Sequence, residues 1–373
     1  MKIGILVYKM VGIGGVQRIT AEKINAWIEI FGYDLVLITK NELDSPFFYE
    51  INKKCKLYNL NIQAKLSGGL KQYIKNIPKA IKLSVELKRI LELENIDVLI
   101  TTMISIDSLV IPFVKSKIPK ISEIHGSGFS YNKKGWFLKK LIINRYKKIV
   151  VLNKSEVEYF PLNNIAVIPN FTDISNYDNL KHNKKNIIIS AGRISWEKQF
   201  DHLVDIWSVI ASKHPNWEVH IYGSSSADGL KRKIDAMDLR KSFKIFPATT
   251  EIKEKMQEAS IFALVSATEA FPMVLLEAMS AELPIVSYDS PNGPRNIVTD
   301  GKDGFIVPLN DKVAFSEKLD LLISNPKIRE DFVQNQKSKL DLFSKERVMN
   351  QWNDLILALL DKKSKKSFSR SKQ

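Results

Sequence analysis

Four side chains in this sequence have the types and spacing to hold a charged, hydroxylated ligand. Glu269 and Glu277 lie eight positions apart, and Arg193 and Lys198 lie five apart. Carboxylates accept hydrogen bonds from hydroxyl groups such as those of a sugar. Fixed cations neutralise a diphosphate. Breaking a bond to a phosphate leaving group builds charge on the departing oxygen, and a pair of cations meets that demand. Two Glu residues at this spacing arise readily by chance, so the surrounding pattern has to carry the signal. An apolar run over 260–266 precedes Glu269 and reads as a buried strand. A helical pattern follows, with Pro272 at its start, where a missing N–H does no harm. A turn and helix spread the two carboxyls by about 12 Å at 1.5 Å per residue. Retaining hydrolases hold theirs roughly 5 Å apart, so a glycosidase pair is disfavoured.

The elements that must position these groups repeat in two halves. Strands are expected at 3–8, 33–39, 97–101, 120–125, 148–152 and 165–168, with helices over about 18–30 and 69–94. A polar span over 168–185 marks a linker. The pattern then restarts with strands at 186–190, 217–222, 243–246, 260–266 and 283–287. Helices are expected at 200–213, 251–259, 313–324, 328–342 and 345–360. Alternating strands and helices give parallel, doubly wound sheets, whose ligands bind at the carboxyl ends of the strands. Arg193 and Lys198 then flank a helix start after one strand, and Glu269 sits in the turn after another.

In the first half, Gly12, Gly14 and Gly15 follow the first strand and let a ligand approach the backbone at a helix N-terminus. Their spacing does not match the dinucleotide-binding fingerprint. His125 ends a later strand, a position that suits a structural role or a ligand contact. Residues 133–148 mix bulky apolar and basic side chains, among them Trp136, Phe137, Lys139 and Lys140. Such a stretch suits either a membrane interface or a packed face with a solvated basic side.

Bulk composition bounds the class. The 373 residues are 45% hydrophobic and 26% charged, as in a soluble globular protein long enough for two α/β domains. No apolar run reaches a membrane-spanning length. The N-terminus passes straight into strand material without a cleavage signal, and Cys55 is the only cysteine, so a cytoplasmic protein is expected. The net charge of +15 is uneven: residues 1–170 carry +12, residues 171–361 carry −3 and the last twelve +6. The basic half suits nucleic acid or an anionic membrane surface, though no aromatic–basic nucleic-acid readout module is evident. The domains expected are 1–170, 171–345, a helix over 346–361 that packs back on the first domain, and a disordered basic tail over 362–373.

Taken together, these motifs resemble the retaining glycosyltransferases of family 4, which have the GT-B fold: two Rossmann-like domains facing across a cleft. The resemblance covers nearly the whole chain. It rests on the E-x7-E element at Glu269 and Glu277, the G-R-x-x-x-x-K pattern of Gly192, Arg193 and Lys198, and the Gly14–Gly15 loop. It implies a metal-independent transfer of a hexose or N-acetylhexosamine from a nucleotide sugar, most simply a UDP-sugar. The implied acceptor is a polyprenyl-diphosphate-linked saccharide at the inner face of the cytoplasmic membrane, in surface-polysaccharide assembly. Glu269, with the backbone of Ala270, Phe271, Pro272, Met273 and Val274, would contact the transferred sugar, and Glu277 the ribose. Phe246, Ala248 and Thr249 would hold the base, and His125 would contact the donor sugar or the acceptor. Pro291–Asn296 resembles the family's G-P-x-E element, with Asn296 in place of the acid. A nucleotide-sugar epimerase of the same fold and a basic nucleic-acid binder remain alternatives.

Overall fold

The computed structural model describes residues 1–42, 46–62, 70–102, 110–126, 143–160, 163–173 and 184–370, with side chains at 70–75 and 362–370 left aside. The chain divides into two compact units, Met1–Pro169 with Val348–Gln373, and Asn170–Arg347.

The first unit is built on a parallel seven-stranded sheet in the order β3-β2-β1-β4-β5-β6-β7. Its strands are β1 (Lys2–Val7), β2 (Asp34–Thr39), β3 (Lys56–Asn59), β4 (Val98–Thr101), β5 (Lys120–Ile124), β6 (Lys148–Val151) and β7 (Ile165–Val167). The central strands are almost wholly apolar because both faces of a parallel sheet are covered. Helix α1 (Gly15–Phe31) buries Ile19, Ile24 and Trp27 and stops at Gly32, whose left-handed backbone (φ 63°) turns the chain into β2. Helix α2 (Leu70–Leu93) precedes β4.

The second unit holds a parallel six-stranded sheet, ordered β10-β9-β8-β11-β12-β13. Its strands are β8 (Ile187–Ala191), β9 (Glu218–Gly223), β10 (Phe243–Pro247), β11 (Ile261–Leu264), β12 (Ile285–Tyr288) and β13 (Phe305–Val307). One face packs Val219, Ile221 and Ala263 against Leu203, Trp207, Phe315 and Leu319. Gln336 donates from Nε2 to the carbonyls of Leu283 and Asp303 at 3.1 and 2.8 Å, tying the helix Pro326–Leu340 to the loops beside the sheet.

Two strands escaped the sequence reading, β3 and β13. Both are edge strands of three or four residues, too short to show a period. The final helix, Lys345–Arg370, runs on through the basic stretch instead of ending near 361. No Gly or Pro follows Pro326, and Lys and Ser are tolerated in helices. Trp352 on this helix is fully buried against Trp27, with ring centroids 5.9 Å apart and planes at 83°. Trp352→Ala is expected to cost about 3–5 kcal/mol, seen as a lower urea midpoint. A wild-type midpoint would contradict this packing.

Candidate active site

The order of the second sheet fixes what can meet at its carboxyl edge. Strands β8 and β11 are neighbours, so the loops that follow them lie side by side. The loop after β8 carries Gly192, the exposed Arg193, and a short 3-10 turn over Trp196–Lys198. The loop after β11 carries Glu269 and leads into α7 (Met273–Ser280), the seventh α-helix among the described residues. The two loops are stitched by a backbone hydrogen bond, Ala267 N–H to the Glu197 carbonyl at 2.7 Å. Beside it, Lys198 Nζ donates to Glu269 Oε1 at 2.5 Å. Their side chains are 24% and 13% exposed, so the pair is partly shielded yet reachable.

Neighbouring groups shape this point. Hydrogen bonding from Ser195, then from its own backbone N–H, holds the Glu197 carboxyl below its usual range, and the charges of Arg193 and Lys198 add to the effect. A Cβ at Gly192 would touch the Lys198 stem at 3.2 Å. A Cβ at Gly293 would fall 2.6 Å from Glu269 Cβ and 3.1 Å from the Glu269 carbonyl. Gly293 therefore lets the loop after β12 press directly against the turn that bears Glu269. In that loop Asn292 takes a left-handed backbone (φ 65°), Asn296 donates to the Asn292 carbonyl, and Arg295 pairs with Asp289 at 2.8 Å.

Helix α7 begins at Met273 after Pro272, with no side-chain cap, and its Leu275 N–H is taken by the Pro272 carbonyl at 2.9 Å. Phe271 and Pro272 are buried, while Ala270, Met273 and Val274 are half-buried. Glu277 lies on the second turn and is 6% exposed. At the sheet's far edge Phe246 stacks on Tyr222, with centroids 4.9 Å apart, and Ala248 and Thr249 follow in the loop. Thr249 Oγ1 accepts the Glu251 N–H at 3.1 Å. The structure thus brings Lys198 and Glu269 into contact, sets Glu277 one helical turn into α7, and leaves Phe246 two strands from β8.

In the first unit, Gly14 caps α1 and Gly15 opens it. A Cβ at Gly15 would meet nothing within 4 Å, so packing does not explain the glycine there. The loop is held from below by Glu42, whose carboxylate accepts the N–H groups of Met10 and Val11 at 2.7 and 3.0 Å. His125 follows β5, with Nε2 3.3 Å from Glu123. Trp136, Phe137, Lys139 and Lys140 lie outside the described residues. Where the same stretch is described, Ile143 and Tyr146 are buried, Arg145 stacks over Phe113 at 4.7 Å, and Lys148 opens β6. The described end of the stretch thus buries its apolar side chains and leaves Arg145 and Lys147 exposed.

Sequence reasoning missed Gly293 and Glu197 as supports of the Glu269 turn, and Glu42 as the support of the glycine loop in the first unit. The Pro-Asn-Gly-Pro run was the visible signal for the first. Among the described residues, no three His, Cys, Asp or Glu side chains form a metal-holding group, and no helix is long and apolar enough to cross a membrane.

Residues 173–339 match the family model described as glycosyl transferases group 1. A Haemophilus influenzae protein named as an uncharacterised glycosyltransferase is 28% identical, over 95% of this chain and 99% of its own. A Campylobacter jejuni enzyme, named as an α-1,4-N-acetyl-D-galactosaminyltransferase acting on a diphospho-undecaprenol-linked saccharide, is 24% identical, over 64% and 68%. The Anabaena protein HepE, solved with UDP and glucose, superposes with a TM-score of 0.76 at 14% identity, over 96% of this chain and all of its own. The fold is GT-B.

Gly293→Ala is expected to push the Glu269 turn outward, costing roughly 1–3 kcal/mol by overpacking and lowering any activity the site supports. Unchanged urea stability and unchanged activity would refute the contact.

Proposed function

We propose that this glycosyltransferase moves a hexose or N-acetylhexosamine, with retention at the anomeric carbon, from a UDP-sugar to a lipid-linked saccharide acceptor. The setting is bacterial surface-polysaccharide assembly at the inner face of the cytoplasmic membrane, with the protein peripherally bound. The Lys198–Glu269 ion pair carries the reading, because it joins a cation suited to a diphosphate to a carboxylate suited to sugar hydroxyls.

Lys198 Nζ and the Arg193 guanidinium neutralise the negative charge that grows on the departing UDP. The first-turn N–H groups of α7 add partial positive charge at the same place. Glu269 accepts hydrogen bonds from the transferred sugar, and Glu277 from the ribose. Phe246, Ala248 and Thr249 flank the base. With two fixed cations and a helix end doing this work, the transfer runs without a metal. Gly14, Gly15 and His125 serve the donor or acceptor from the first unit, as the family resemblance suggests. The open space above Gly15 agrees with a close ligand approach. The Campylobacter relative supports the lipid-linked acceptor, and the HepE complex supports UDP. The basic first half suits an anionic membrane surface.

The test is UDP release from UDP-sugars, with and without a polyprenyl-diphosphate-linked saccharide. The expected outcome is acceptor-dependent release, with kcat down about 100-fold or more in Lys198→Ala, the scale of losing one group that stabilises developing charge. Acceptor-independent donor conversion would identify an epimerase, and wild-type turnover in Lys198→Ala would remove the role given to that cation.

A further inference from the structure

A buried ionic cluster lies in the first unit, and neither charge-pair stability nor the donor site accounts for it. Alternation along β5 puts Glu123 and His125 on the same side of the strand, two residues apart. The Glu123 side chain is 2% exposed and that of Lys23, from α1, 3%. Lys23 Nζ donates to one carboxylate oxygen of Glu123. The other oxygen, Oε2, faces His125 Nε2 at 3.3 Å. That ring nitrogen is buried and makes no hydrogen bond of good geometry, so the Glu123 carboxylate is its nearest ionic neighbour. Trp352, on the final helix, covers the cluster, with Lys23 Nζ 4.8 Å from the centre of its ring.

Burial opposes charge on both members. It pushes the Lys23 ammonium down, against the opposing pull of Glu123. It also pushes the Glu123 carboxyl up, but the charges of Lys23 and His125 outweigh that and hold it at about 2. Apolar residues of the same volume would fill this space at no greater cost. A carboxylate kept here, with one oxygen neutralised and the other aimed at an imidazole, has a further use: it orients the ring.

We propose that Glu123 is a positioning residue for His125. Locked by Lys23, its carboxylate holds the Nε2 edge of the imidazole inward and leaves the Nδ1 edge to meet a ligand. Lys23 moderates the arrangement, since its charge offsets that of Glu123. Among the described residues, the charged groups recorded here are Lys23 on α1, Glu123 on β5 and His125 just after it, while the final helix contributes the neutral Trp352. The inference rests on the proposed ligand role of His125, but its test does not depend on turnover.

Ring resonances of His125, one of five histidines, are identified by their loss in His125→Asn and titrated by NMR. Glu123→Gln alone would leave Lys23 buried without a counter-charge and risks misfolding. The informative pair is therefore Lys23→Met and Lys23→Met/Glu123→Gln. Removing Lys23 leaves the carboxylate acting on the imidazole unopposed, so the His125 midpoint should rise above wild type. Removing both should drop it at least about one pH unit below Lys23→Met, the ordinary effect of a neighbouring charge. The acid limb of the kcat profile should move in the same order. Midpoints equal within about 0.3 unit, a small fraction of the usual spread for histidines, would overturn the proposal even if His125→Asn lost activity. The ordered shifts together with full activity in His125→Asn would uphold the positioning and remove the histidine from the transfer.

Discussion

The functional reading depends on one contact, the ion pair between Lys198 and Glu269. It is a modest source of stability, because both side chains remain partly solvated and such pairs contribute little after desolvation and ordering. Its weight is positional. It pins the loop after β8 to the loop after β11 at the carboxyl edge of a parallel sheet, where ligands of such folds bind. On the proposed reading the same cation serves a diphosphate, so such a ligand would compete with Glu269 for Lys198. Binding there would exchange one charge-assisted contact for another and free the carboxylate for hydroxyl groups.

Close packing keeps that contact in register. Gly293 allows the backbone of one loop to lie against another where a single methyl group would intrude, and Gly192 leaves room for the Lys198 stem. Behind these loops, α7 is buried along most of its length against the sheet, so the Glu269 turn has a rigid base. The first unit shows a parallel solution at the end of β5. There a buried carboxylate stands between an ammonium and an imidazole, with desolvation raising the cost of any misplacement.

Much of this was legible in the sequence because the physics is local. Apolar runs of four to six residues between helical patterns identified the central strands of both sheets, and Pro272 marked the start of the helix behind Glu269. The residues flanking each β–α turn followed from that, and the resemblance to the E-x7-E and G-R-x-x-x-x-K elements singled out Arg193, Lys198, Glu269 and Glu277 among them. What stayed hidden was non-local. Strands β3 and β13 owe their existence to a neighbouring edge and carry little pattern of their own. Glu42 reaches back over thirty residues to hold the Gly loop, and Lys23 pairs with a carboxylate one hundred residues away. No spacing rule predicts such partners. The extent of the final helix was also missed, because a run of lysines and serines reads as solvated tail when nothing shows what it continues from.

Fixed cations gripping a diphosphate are the centre of the account, and calorimetric binding of UDP and of uridine isolates them. The account predicts that Lys198→Ala and Arg193→Ala each weaken UDP binding about tenfold or more, the scale of one lost charge-assisted contact, while uridine binding stays near wild type. Unchanged UDP affinity in both variants, or equal losses for UDP and uridine, would contradict it.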